Sequence, residues 1–197
     1  MKKILKLLFM FFSGASQAQN NLGNKYFNGD EVAKDYKKAF EWLKKLAELG
    51  NADAQYNLGV IYDNGDGVAK DYKKAVEWYT KSAEQGNANA QSNLGNMYYN
   101  GLGVEKDYEK AFEWLKKSAK QGNANAQSNL GFMYENGLGV GKDDKKAVEW
   151  FTKSAEQGNA YAQSNLGVMY DNGFGVEKDD KKAVEWYTKS AEQGNAN

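Results

Sequence analysis

Along residues 51–86 the apolar and small side chains recur three or four residues apart, in two separate runs. Ala54, Leu58, Gly59 and Tyr62 form the first, bracketed by Asn51 and by Asn64-Gly65. That spacing puts them on one side of a helix, here helix A, with Asn51 as its N-cap and Gly65 as a left-handed stop. Tyr72, Ala75, Val76, Tyr79 and Ala83 form the second run, helix B, capped by Asp71 and ended by Gly86. A short loop, Gly65-Asp66-Gly67-Val68-Ala69-Lys70, joins the two. Neither helix can bury its apolar face alone, so stacked neighbours must supply the core.

Shifting the chain by 36 residues lays it on itself. Residues 51–86 and 159–194 differ at only six positions, and copies at 87–122 and 123–158 lie between them without a gap. A shortened copy at 19–50 comes first, and Trp42, Trp78, Trp114, Trp150 and Trp186 fall one per copy. Residues 19–197 therefore read as a single array with no internal domain boundary. Tryptophans and tyrosines such as Trp78 and Tyr79 are expected to fill the stack. Glu41, Glu77, Glu113, Glu149 and Glu185 each precede a lysine by four residues, the favourable order for a helix-surface pair. Asp35, Asp71, Asp107, Asp143 and Asp179 are expected to cap the B helices.

The pattern Ala54-x-x-x-Leu58-Gly59-x-x-Tyr62, Gly65-x-Gly67-Val68, Asp71, Lys74-Ala75, Trp78, Lys81-x-Ala83 and Gly86 resembles the Sel1-like repeat family, relatives of the tetratricopeptide repeats. The resemblance covers residues 18–197 and implies an all-α fold, a right-handed superhelix of antiparallel helix pairs that scaffolds protein–protein contacts. In two respects the chain departs from the family pattern. Glu31 stands where later copies have the second loop glycine, and the paired cysteines of some secreted members are missing. Some secreted members are credited with penicillin binding or β-lactamase activity. The resemblance thus carries an alternative, an envelope enzyme acting on β-lactams or peptidoglycan.

Composition narrows the chemistry. The 197 residues include no His, Cys, Pro or Arg, and 26 lysines balance 26 carboxylates. No zinc site of the usual kind, Ser-His-Asp triad or thiol nucleophile can be built, and nothing marks a nucleic-acid partner. The loop Gly137–Lys142 fails as a phosphate cradle, because Asn136 and Asp143 stand where glycine and Ser or Thr are needed. Loops such as Asp63-Asn64-Gly65-Asp66 lack the alternate-position spacing of calcium loops. Carboxylates repeated in every copy suit a structural role better than a catalytic one. Ser118-Ala119-Lys120 is the nearest approach to the Ser-x-x-Lys signature, with the wrong spacing. No catalytic, metal or cofactor-binding residue is expected.

Residues 1–18 differ from the rest. Lys2 and Lys3 precede an apolar stretch, Ile4–Phe12, broken by Lys6, and Ser16 and Ala18 sit at −3 and −1 of a signal-peptidase site. The stretch is too short to span a membrane, which takes about 20 apolar residues. A cleaved signal peptide and a periplasmic or secreted protein, with no integral membrane segment after processing, are expected. Removing residues 1–18 takes the net charge from 0 to −3. Asn195-Ala196-Asn197 repeat the opening of another copy after a standard helix B, so the last repeat reads as uncapped. Two alternatives stand open: a longer chain that continues the array, or end-to-end self-association through that repeat.

The copies disagree in one place. In helix A the differences are Asp53/Asn89/Asn125/Tyr161, Tyr56/Ser92/Ser128/Ser164, Val60/Asn96/Phe132/Val168 and Asp63/Tyr99/Glu135/Asp171. At about 100° per residue these occupy one arc roughly 80° wide, opposite the invariant Ala54, Leu58, Gly59 and Tyr62. Aromatic residues on a variable, solvent-facing side of the helix point to an interaction site. Tyr56, Val60, Asp63, Asn96, Tyr99, Phe132, Glu135, Tyr161, Val168 and Asp171 are therefore the candidate partner-binding residues. The resemblance places this face on the inner, concave surface of the superhelix. A protein or extended peptide is the expected ligand, with some basic character from Asp63, Glu135 and Asp171. The double variant Tyr99→Ala with Phe132→Ala is expected to weaken binding without altering helicity or melting.

Overall fold

The computed structural model describes residues 36–194, with side chains from residue 39 onward. The expected signal peptide, the expected first helix A, Glu31, Asp35 and the last three residues lie outside the described residues. Nine helices are described, each of 13 residues: α1 (Tyr36–Glu48), α2 (Ala52–Asn64), α3 (Tyr72–Glu84), α4 (Ala88–Asn100), α5 (Tyr108–Lys120), α6 (Ala124–Asn136), α7 (Asp144–Glu156), α8 (Ala160–Asn172) and α9 (Asp180–Glu192). The even-numbered helices are A helices and the odd-numbered are B helices, and no strand occurs among the described residues. By their internal contacts the residues group into two compact units, one ending at Ala90 and one beginning at Gln91.

The local signals for helix boundaries act as the sequence predicts. Asn51, Asn123 and Asn159 cap A helices, each side-chain oxygen accepting from the N–H three residues on, as in Asn123 with Ala126 at 2.9 Å. Gly65, with φ 83°, is the left-handed stop of α2. Asp71, Asp107, Asp143 and Asp179 cap the B helices. Each also donates its own N–H to the tyrosine carbonyl near the end of the preceding A helix, as Asp143 does to Tyr134 at 2.9 Å. This bond closes the loop and turns the chain back on itself.

Within each unit the invariant side of helix A is the buried side. Ala54, Leu58 and Ile61 join Leu43, Leu46 and Ala47 in the first unit. In the second, Ala126, Leu130, Met133, Ala162, Leu166 and Met169 pack with Ala111, Leu115, Ala147 and Phe151. Helix A approaches helix B closely at one glycine. A Cβ on Gly131 would lie 2.8 Å from Phe151 Cδ1, and one on Gly167 2.7 Å from Tyr187 Cδ1. Glycine inside a helix lowers its stability by about 1 kcal/mol relative to alanine, so this spacing between helices explains the residue.

Buried polar side chains stitch the pairs together. Ser82, Ser154 and Ser190 of the B helices donate to the carbonyls of Ala52, Ala124 and Ala160, at 2.7, 2.7 and 2.8 Å. Gln157 donates to Gln127 at 2.6 Å, and Gln127 donates in turn to the Ala119 carbonyl at 3.2 Å. Gln85, Gln55 and Ala47 form the same relay in the first unit.

The structure corrects two expectations. Lys81, Lys117, Lys153 and Lys189 do not close ion pairs with the glutamates four residues earlier. Their ammonium groups stand over Trp78, Trp114, Trp150 and Trp186, 4.1–4.4 Å from the ring centroids. An exposed Glu–Lys pair contributes only about 0.3–0.5 kcal/mol, which a ring face three residues away can match. These tryptophans are half-buried and do not fill the centre of the stack. The deep position is the next residue, and it varies: Tyr79, Leu115 and Phe151 are each 0% exposed.

Asp71 and Asp107 are held below the ordinary aspartate value of 3.8 chiefly by the backbone N–H of Lys74 and Lys110, and Asp143 chiefly by the Lys146 side chain. A carboxyl lowered on folding contributes stability above pH 3.8 and loses it as pH falls through its folded value. Melting temperature is therefore expected to drop on acidification between about pH 5 and pH 2. Replacing Asp71, Asp107 and Asp143 with Asn, itself a good cap, should flatten that drop in melts followed by circular dichroism. An unchanged acid profile in the triple variant would contradict this.

Candidate functional site

The variable face of the A helices is uneven. In the first unit Tyr56, Val60 and Asp63 of α2 are half-buried. The Tyr56 ring lies 6.1 Å from that of Tyr79, and burial pushes its phenol pKa up. Asp63 accepts a hydrogen bond from the Tyr79 hydroxyl at 3.2 Å. Tyr56 and Asp63 are thus engaged within their own repeat.

In the second unit four of the anticipated residues come together. Asn96 and Tyr99 of α4, Phe132 of α6 and Tyr161 of α8 line a cavity of about 340 Å³. The Tyr99 and Phe132 rings meet edge-on at 6.5 Å, and Tyr108 flanks Tyr99 at 5.3 Å. Tyr99, Phe132 and Asn96 are half-buried, whereas Tyr161 is 51% exposed. The Tyr99 phenol pKa is raised by burial and then by the neighbouring phenols of Tyr108 and Tyr161.

The remaining anticipated residues stand outside this cavity. Glu135 is half-buried, and burial, with Asp144 nearby, raises its carboxyl pKa against the pull of Lys142. Val168 is half-buried, and the exposed Asp171 pairs with Lys178 at 3.8 Å.

Three lining residues escaped the sequence reading: Asn100, Leu115 and Asn129. Leu115 explains the location. It occupies the column of Tyr79, Phe151 and Tyr187, and its smaller side chain leaves room where the others place a ring. Asn129 belongs to a column of identical residues, Asn57, Asn93, Asn129 and Asn165, so a search for differences between copies passes over it.

The arrangement offers stacking surfaces and carboxamides. The small hydroxyls weighed as nucleophiles serve the backbone, as Ser154 does in donating to Ala124. Among the described residues no three His, Cys, Asp or Glu side chains gather as metal ligands, and no helix is long and apolar enough to cross a membrane.

Comparison with known proteins gives a consistent picture. A family model described as the Sel1 repeat matches residues 16–51, 52–87, 88–123, 124–159 and 160–195. No curated protein matches the chain. Among solved structures, it is similar to a protective antigen of uropathogenic Escherichia coli displaying an SLR fold, with 42% identity and a TM-score of 0.85 over 93% of this chain. The matched part is 39% of that antigen. A Sel1 repeat protein from Oxalobacter formigenes shares 38% identity at a TM-score of 0.86, over 91% of this chain and 72% of that one. A third, from Klebsiella pneumoniae, shares 28% identity at a TM-score of 0.61, over 93% and 89% of the two chains.

Proposed function

The chain belongs to the Sel1 repeat family, and we propose that it works outside the cytoplasm as a scaffold holding a protein segment against the A-helix face of residues 91–172. Sel1 repeat proteins are generally protein–protein interaction scaffolds and typically non-catalytic. The observation that carries the finer reading is the cavity where Asn96, Tyr99, Phe132 and Tyr161 converge. A concave, partly apolar site with a few placed polar groups is where ligands tend to bind, and tyrosine is a favoured anchor at protein interfaces.

Export rests on the composition of residues 1–18 and is supported by the similarity to a protective antigen. Intact-mass measurement of protein recovered from its own host should give a chain beginning at Gln19, and a product retaining Met1 would refute processing there. The binding role is tested by affinity capture from an envelope extract with the processed chain, repeated with Tyr161→Ala. A protein held by this face is lost from the variant, and equal capture by both forms would refute the role.

A further inference from the structure

A second cavity, of about 260 Å³, continues from the first and shares Asn96, Asn129 and Tyr161 with it. The only ionisable side chains lining either cavity are the tyrosines, and carboxamides come from α4, from α6 and from Asn159, the N-cap of α8. Asn129 donates to Asn96 across α4 and α6 at 2.8 Å. With Asn129 donating one N–H and Asn96 accepting it, the Asn129 oxygen and the Asn96 NH2 group stay outside that bond. Turning both amides over together exchanges the two roles and leaves the same set. A peptide group presents one donor and one acceptor in the same way. Ser128 lines this groove at 2% exposure, and its hydroxyl is the one buried side-chain polar atom without a hydrogen-bond partner among the described residues. Such groups are rare in folded proteins, and a ligand is one thing that can satisfy them. Asn93 and Asn129 both line the groove, one repeat apart. Packed helices stand about 8–10 Å apart, and an extended chain advances about 3.3 Å per residue. One carboxamide position per repeat therefore meets about every third residue of an extended chain.

We infer that the groove reads the main chain of an uncharged, extended peptide segment through the Asn96–Asn129 carboxamides, seating one apolar or aromatic side chain against Tyr99, Leu115 and Phe132. The inference rests on the reading that this face holds a protein segment, and it adds that charge takes no part. Glu135 and Asp171, outside both cavities, are then bystanders.

The test uses the full chain and a library of random linear peptides displayed on phage. Enriched peptides should share an uncharged stretch around an aromatic or branched aliphatic residue. N-methylation of backbone amides flanking that residue should weaken binding about tenfold or more, since it removes the donor being read. Asn129→Ala should do the same, with melting followed as a control, whereas Glu135→Gln and Asp171→Asn should bind as the parent does. The N-methyl series needs no variant and stands if Asn129→Ala folds poorly. Peptides dominated by Lys and weakened by Glu135→Gln would overturn the inference while leaving a protein-binding face. Insensitivity to N-methylation would overturn it too. No peptide enrichment, with or without binding of neutral oligosaccharides, would overturn both readings.

Discussion

Gly139→Ala is expected to melt roughly 10 °C below the parent chain, and Gly141→Ala, in the same loop, at or slightly above it. At Gly139 φ is +66°, and a Cβ there would collide with the Tyr108 carbonyl and the Glu109 nitrogen at the start of α5. The obstacle is backbone, which cannot swing aside as a flexible side chain can. A left-handed non-glycine residue costs about 1–2 kcal/mol, and overpacking adds about 1–3 kcal/mol. For a chain of this size each kcal/mol lowers the melting temperature by about 2–4 °C. At Gly141 nothing lies within 4 Å of the added carbon, and φ is outside the left-handed region. Alanine there mainly restricts the unfolded chain, which stabilises by about 0.4–1 kcal/mol. Gly175 meets the Asp144 carbonyl as Gly139 meets that of Tyr108, so Gly175→Ala should repeat the first result. Thermal melts of the three variants decide, and similar curves for Gly139→Ala and Gly141→Ala would contradict the packing described.

Tyr161→Ala should lose about tenfold or more in affinity for the partner while melting as the parent does. Its ring is 51% exposed at the mouth of the cavity, so little of the core depends on it. Tyr99→Ala with Phe132→Ala should lose at least as much affinity, but it will not leave melting unchanged. Both rings are half-buried and pack on the core of the second unit. Truncating a fully buried Phe costs about 3–5 kcal/mol, so each of these half-buried rings should cost about 1–2 kcal/mol. The expectation from sequence differed because helical angle places a residue on a face without saying how far its neighbours cover it. Comparing Tyr161→Ala with the double variant by calorimetric titration and melting therefore separates binding from stability.

That difference shows where sequence reading reaches and where it stops. The caps at Asn123 and Asp143 and the stop at Gly65 were legible because their partners lie within a few residues. Period and invariance likewise gave the packing side at Leu130 and Leu166. The relay through Gln157, Gln127 and Ala119 was not legible, since Gln157 and Gln127 meet across 30 residues and an invariant glutamine looks like surface in sequence. The lysines were misassigned because their spacing suits both a glutamate four residues back and a tryptophan three residues back. At the site, differences between copies found Asn96, Tyr99, Phe132 and Tyr161. Leu115 was missed because it acts by being smaller than the rings in its column, and Asn129 because it does not vary.

The central claim is that the A-helix face of residues 91–172 is where a partner lies. Hydroxyl-radical footprinting of the chain alone and with its captured partner tests this most directly, because the aromatic side chains of both helix types report in one experiment. Protection of Tyr161, Tyr99 and Phe132, with Trp114, Trp150 and Trp186 labelled as before, is the result predicted. Protection of those tryptophans on the B helices, with Tyr161 unchanged, would contradict it.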